Sequence, residues 1–182
     1  LPLRPLGGLR LAWEALLAEM APAPQRPLAI TAVGGGAAGV ESLLAVLKRL
    51  RVQQPNRELS ATLVGRSATL LPSLPRAAAK SAQAALARAG VELRLGSGFG
   101  AGDAPASDVL LWAAGAEAHA WQRASGLAVG ASGYIRIDPH LRSLSHPHVH
   151  AVGDCAEWAE PLPKAGVYAV RMGPVLSRNL RA

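Results

Sequence analysis

Glycines 34, 35, 36 and 39 have the spacing that most directly suggests chemistry. The run Gly34-Gly35-Gly36-Ala37-Ala38-Gly39 fits G-x-G-x-x-G. Between a strand and a helix, the first glycine of such a run permits a sharp turn, the second lets a pyrophosphate approach the backbone, and the third lets helix and strand pack closely. The N–H groups of the helix start would hold the phosphates. In a chain rich in alanine and glycine the run alone is weak, and a tight turn without ligand is the bland alternative. Its flanks strengthen it. Leu28–Val33 is an unbroken apolar run suited to a buried parallel strand, and Ala37–Leu50 continues as a helix with Val40, Leu43, Leu44 and Leu47 on one face.

A second position bears on the same ligand. At the end of the strand Leu59–Val64, a carboxylate would bind the free ribose 2′-hydroxyl of NAD, whereas an arginine would accommodate the 2′-phosphate of NADP. This chain has Gly65-Arg66-Ser67 there. Gly65 is expected to leave room for a phosphate that Arg66 could grip bidentately. The alternative is that Arg66 is one more solvated arginine.

Two other groups could do chemistry. His146, His148 and His150 alternate and would share one strand face, but no cysteine or carboxylate nearby in sequence completes a metal set. Cys155 is the single cysteine, so the chain has neither an internal disulfide nor a CxxC, and it reads as a packing residue. Neither a metal ligand nor a catalytic side chain is expected.

The elements that must position these residues follow from the rest of the text. Residues 9 to 20 form an amphipathic helix with Leu9, Trp13, Leu16, Leu17 and Met20 on one side, and prolines 22, 24 and 27 break it. Strands at 28–33, 59–64 and 91–95, with helices over 37–50 and 80–89, make a β-α-β-α-β unit whose strands should be parallel. After the small-residue loop 96–107 come a fourth apolar strand ending at Gly115, a short helix near 118–124, short strands and turns around Tyr134–Ile137, and a final helix over 165–180.

Composition sets limits. With 182 residues, 50% hydrophobic and 17% charged, the chain can bury one or two small cores. No window reaches the 18 apolar residues of a membrane span and no secretion signal opens the chain, so a cytoplasmic domain is expected. Nineteen Lys and Arg against twelve Asp and Glu give +7, but sixteen of the nineteen are arginines, spaced singly with no run of basic residues, and the chain has only seven aromatic residues. Nucleic acid is not the expected partner.

Five segments together resemble the two-dinucleotide flavoprotein reductases of the pyridine nucleotide-disulfide oxidoreductase family: AVGGGAAGVE (32–41), TLVGRSATLLPSLP (62–75), DVLLWAAG (108–115), HVHAVGDCA (148–156) and PKAGVYAVRMGPVLSRNLRA (163–182). Within it the type II NADH dehydrogenase-like group is the nearest likeness, in particular the proteins sometimes fused to a selenide, water dikinase. The resemblance implies an α/β, Rossmann-like FAD/NAD(P)-binding fold with a parallel sheet flanked by helices. It divides the chain into linker and helix (1–25), an NAD(P)-binding domain (26–125) and the C-terminal part of an FAD-binding domain (126–182).

The same resemblance implies cofactor contacts at Gly34, Gly35, Gly36, Ala37, Gly39, Glu41, Gly65, Arg66 and Gly115 for NAD(P)H. For FAD it implies Gly153, Asp154, Lys164, Ala165, Gly166 and Val167. Asp154 would bind the ribityl chain, the start of the last helix would lie against the flavin ring, and Glu41 would sit near the nicotinamide. Glu41 can also be read as a helix-start carboxylate facing the macrodipole. Three departures qualify this. The family's first FAD-binding βαβ lies upstream of Leu1, so the chain is expected to be a fragment that cannot hold FAD alone. The family's antiparallel meander is reduced to residues 96–107, through deletion or missing residues. Without CxxC, hydride transfer to FAD and on to a quinone or other acceptor is expected rather than disulfide reduction. Peripheral membrane contact and a homodimer remain open, and the competing readings are a flavin-free Rossmann dehydrogenase or an inactive scaffold or regulatory module.

Overall fold

A computed structural model describes residues 6–20, 26–96, 107–160, 162 and 164–181. The expected loop 96–107 falls almost wholly outside these residues, as does most of the segment 21–27. The chain divides into two compact units, up to Gly115 and from Ala116 onward. The division lies ten residues before the expected 125/126 boundary. The reason is local: α4 (Ala120–Ala124) turns its Gln122, 1% exposed, into the second unit, where Nε2 donates to the Cys155 carbonyl at 3.3 Å.

The first unit is a four-stranded parallel sheet in the order β3-β2-β1-β4, built from β1 (Leu28–Val33), β2 (Leu59–Gly65), β3 (Val91–Leu95) and β4 (Val109–Trp112). Helices α2 (Ala37–Gln53) and α3 (Arg76–Arg88) are the crossovers, and α1 (Leu6–Met20) precedes β1. The chain steps outward from β1 through β2 to β3, then returns to the other side of β1 at β4. Beyond the carboxyl ends of β1 and β4 the winding therefore reverses, which is where sheets of this class bind ligands.

Packing follows from the apolar spacing. Val40, Leu43, Leu47 and Leu50 repeat at intervals of three and four residues, and all are buried under the sheet with Ile30, Leu63 and Leu111. Each such leucine contributes about 1.5–3 kcal/mol by leaving water. Trp13, Leu16, Leu17 and Met20 of α1 pack on this core, so the helix belongs to the first unit. The buried Arg57 fixes it there, donating to the carbonyls of Met20 at 3.0 Å and Arg26 at 2.8 Å. A cation at the C-terminal end of α1 also meets the favourable end of its dipole.

The second unit is a smaller cluster around Ile135, Ile137, Leu141, Ala151, Ala156 and Met172. Its two-residue strands β5 (Ile135–Arg136) and β6 (Ala156–Glu157) pair in parallel, and α5 (Gly166–Asn179) covers them. The strand expected over Val149–Val152 does not form. Residues 149–151 instead make one antiparallel bridge, His150 with Arg142, because the opposing residues turn away at Asp138. The Asp138 carboxylate accepts from the N–H of His140 at 2.8 Å and of Arg142 at 2.9 Å, and this turn holds the buried Leu141 at φ +66°. Burial would raise the Asp138 pKa, but the hydrogen bonds from Arg142 and His140 outweigh it and hold it below the ordinary value.

Candidate functional site

The glycine run turns the chain from β1 into α2 with no space to spare. Gly34 has φ +122°, and a Cβ there would lie 2.2 Å from the Ala113 carbonyl oxygen at the end of β4. A Cβ on Gly39 would lie 1.9 Å from the Gly34 carbonyl oxygen. These two glycines are required by close approach and, at Gly34, by a backbone conformation that other residues rarely adopt. Gly36 differs. It is exposed, at the N-cap of α2, with nothing within 4 Å of a would-be Cβ and no side chain capping the helix. Ala37 and Ala38 are exposed beside it, and the first turn carries no acid. This helix start therefore presents uncapped N–H groups and positive dipole to an open surface.

Gly35 is tied to the loop after β2. Its carbonyl accepts the Leu71 N–H at 2.8 Å, and Leu71 is held at φ +49°. Gly65 is buried, and the space expected beside it for a phosphate is taken: a Cβ there would lie 3.0 Å from Leu95 Cδ2 and 3.4 Å from the Gly35 nitrogen. Room for an anion is found instead at Arg66, which is exposed and has no hydrogen bond or ion pair among the described residues. Glu41 is exposed in the second turn of α2 rather than at its start, so it sits beyond the strongest part of the dipole. Gly115, exposed at φ +129°, ends the stretch after β4.

In the second unit, Gly153, Asp154, Lys164 and Ala165 come together around a cavity of about 170 Å³. Gly153 has φ +63° and packs on Ala169 of α5, while its N–H meets Met172 Sδ at 3.1 Å. This clasp puts Asp154 at the cavity wall. Lys164 Nζ donates to the Ala156 carbonyl at 2.5 Å and lies 3.7 Å from the centre of the Tyr134 ring. Burial pushes its ammonium below the usual lysine pKa, against the pull of Glu157 and Asp154. Gly166 and Val167, the first residues of α5, are exposed, and the helix has no side-chain cap.

Sequence spacing missed several residues. Leu71 and Leu95 at the glycine turn carry no motif. Tyr134, Glu157 and Trp158 line the cavity from segments too irregular to show a period. The Trp158 indole N–H is buried without an acceptor among the described residues. His146 and His148 are exposed off any shared strand face, and no histidine, cysteine and carboxylate group among the described residues could hold a metal. The Cys155 thiol donates to the Val152 carbonyl at 3.1 Å.

Residues 13–173 match the sequence pattern of a family described as pyridine nucleotide-disulphide oxidoreductase. No curated protein matches the sequence. Among similar solved structures is the water-forming NADH oxidase from Lactobacillus brevis bound to NADH, at 21% identity and TM-score 0.62, covering 92% of this chain and 39% of that one. An engineered mutant of it, a water-forming NADPH oxidase bound to NADPH, gives 22% and 0.63 over 91% and 39%. The HOCl-induced flavoprotein disulfide reductase RclA from Escherichia coli, a Cu(II) complex, gives 20% and 0.63 over 85% and 36%. At these identities the likeness establishes the fold, a Rossmann-like α/β arrangement with its parallel sheet flanked by helices. The chain spans well under half the length of each.

Proposed function

The chain belongs to the pyridine nucleotide-disulphide oxidoreductase family, and on that premise we propose that it is the NAD(P)H-binding portion, with part of the flavin-binding portion, of an FAD-dependent oxidoreductase. The observation that carries this is the interlock of Gly34, Gly39 and Ala113, which leaves the exposed Gly36 and the uncapped start of α2 open to a pyrophosphate. Arg66 then reads the 2′ end of the nucleotide and favours NADPH. Support comes from the engineered oxidase bound to NADPH, in which consecutive Asp, Ala and Met are replaced by Ala, Arg and Ser. This chain carries the same order of small residue, arginine and serine at Gly65-Arg66-Ser67.

The second unit fits part of FAD. Asp154 supplies a carboxylate for ribityl hydroxyls, the Trp158 N–H has no acceptor among the described residues and a ring carbonyl would provide one, and the uncapped start of α5 favours partial negative charge. A cavity of about 170 Å³ is smaller than the about 300–1,000 Å³ of a complete small-molecule site. These residues therefore hold an edge of the cofactor. When bound, FAD supplies two-electron chemistry between NAD(P)H and an acceptor.

We assign the acceptor to the quinone-like class on the likeness of the segments at 148–156 and 163–182 to the type II NADH dehydrogenase-like branch. The type II NADH dehydrogenase-like branch, the dikinase-fused group within it and a cytoplasmic location are part of the same proposal, resting on the segments at 148–156 and 163–182 and on the sparing use of cysteine. Titration of NADPH and NADH into the purified chain tests the nucleotide site, with saturable binding of either expected. Absence of binding rejects the reading. Flavin absorbance in the full gene product tests the second unit, and nucleotide binding without flavin there would select the flavin-free dehydrogenase instead.

A further inference from the structure

Gly65 ends β2 directly opposite Leu95 at the end of β3. A Cβ at Gly65 would meet Leu95 Cδ2 at 3.0 Å on one side, and the Gly35 nitrogen and Cα at 3.4 and 3.5 Å on the other. The two walls differ in what holds them. Gly35 is pinned by the Leu71 N–H on its carbonyl at 2.8 Å and by the Leu70 side chain, while the preceding Gly34 N–H donates to the Val64 carbonyl at 2.8 Å. Leu95 is half-buried, and the atom it presents is the tip of a side chain.

Resting on the dinucleotide reading above, we propose that Leu95 and Gly65 together form a nucleotide-specificity element: the Leu95 δ-methyl occupies the space that a carboxylate side chain at the end of β2 would need. The acid that holds a free ribose 2′-hydroxyl fits here only if the Leu95 tip gives way by a few tenths of an ångström. Recognition of that end of the nucleotide falls to Arg66, and preference for NADPH is enforced sterically as well as by charge. An acid at position 65 pushes either on Leu95 or on Gly35. Because Gly35 belongs to the phosphate-binding turn, the second outcome damages binding of both nucleotides. Trimming Leu95 leaves the first outcome available at little cost.

The test titrates NADH and NADPH into the wild-type chain and into Gly65→Asp, Leu95→Ala and the Gly65→Asp/Leu95→Ala double variant. Gly65→Asp alone is expected to weaken both nucleotides at least about tenfold, and the double variant to recover NADH about tenfold relative to it while NADPH stays weak. A Gly65→Asp variant that binds NADH as tightly as wild type, or a double variant no better than the single, overturns the proposal. If Gly65→Asp does not fold, melting temperatures of Gly65→Ala, Leu95→Ala and their combination test the contact on which the proposal stands. A combined loss smaller than the sum supports the interlock, and strictly additive losses overturn it. Failure of the wild type to bind either nucleotide would reject the underlying reading, which is a different result from a wild type that binds and switches with Gly65→Asp alone.

Discussion

The Gly34 carbonyl oxygen lies 1.9 Å from where a Gly39 Cβ would stand, so the first and third glycines of the motif are locked face to face. A Cβ on Gly36, between them, would meet nothing within 4 Å. The same six residues thus contain two kinds of glycine. Gly34 and Gly39 serve the fold, and Gly36 leaves the start of α2 open.

That distinction separates stability from binding. Gly39→Ala forces the start of α2 away from β1 and should cost about 1–3 kcal/mol or more of stability, as overpacking generally does. Gly36→Ala keeps φ −80° and ψ 178°, which alanine adopts freely, so its stability should change by about 1 kcal/mol at most. On the proposed dinucleotide reading its methyl would stand in the path of the pyrophosphate, and NADPH binding should fall. Melting curves and nucleotide titrations on both variants check this; a Gly36→Ala protein that binds like wild type removes the α2 start from the site.

Arg66 provides the second check. Its guanidinium is exposed and unpaired among the described residues, so truncation removes no internal bond. Arg66→Ala should weaken NADPH by the loss of a charge-assisted contact, about 1.5–3 kcal/mol, or roughly ten- to a hundredfold in Kd, and leave NADH nearly unchanged. Equal losses for both nucleotides would show that Arg66 does not read the 2′ position.

What the sequence makes legible here is what has a period or a motif. Val40, Leu43, Leu44 and Leu47 announce α2 by their spacing, LAITAV announces β1 by carrying no charge, and the crossovers then dictate parallel pairing. The surroundings of Gly65 are not legible, because Leu95 reaches it only through the β2–β3 register, thirty residues away in sequence. Residues 149–152 read as a strand in sequence, but a partner is needed to make one, and the Asp138 turn carries that partner away after a single bridge. The second-unit cavity is built from Tyr134, Glu157, Trp158 and Lys164, which share no spacing at all.

Asp154 stands at the cavity wall because the Gly153 turn is clasped to α5. In the flavin-loaded protein, Asp154→Ala should lower flavin occupancy through lost hydrogen bonds from the cofactor's hydroxyls, on the order of 1.5–3 kcal/mol. Asp154→Asn, which keeps an acceptor oxygen, should lose less. The ratio of flavin to protein absorbance after dialysis reports it, and unchanged occupancy in Asp154→Ala would exclude the carboxylate from the site.

Lys164 makes the second unit pH-dependent in a direction that can be worked out. Burial lowers its pKa in the folded chain, against the attraction of Glu157 and Asp154, while unfolding returns it to the ordinary 10.5. Between the lowered value and 10.5 the folded state has released its proton and the unfolded state still holds one, so stability rises with pH across that window. Below the window both states are charged and the burial penalty stays in full. The informative quantity is a difference between wild type and a variant without the ammonium. Lys164→Met has no proton to release, and the gain of wild type over variant should grow as pH climbs from neutral toward 10.5. Paired thermal melts across that range measure it; parallel profiles for the two proteins would mean that the Lys164 ammonium is as well solvated in the fold as outside it.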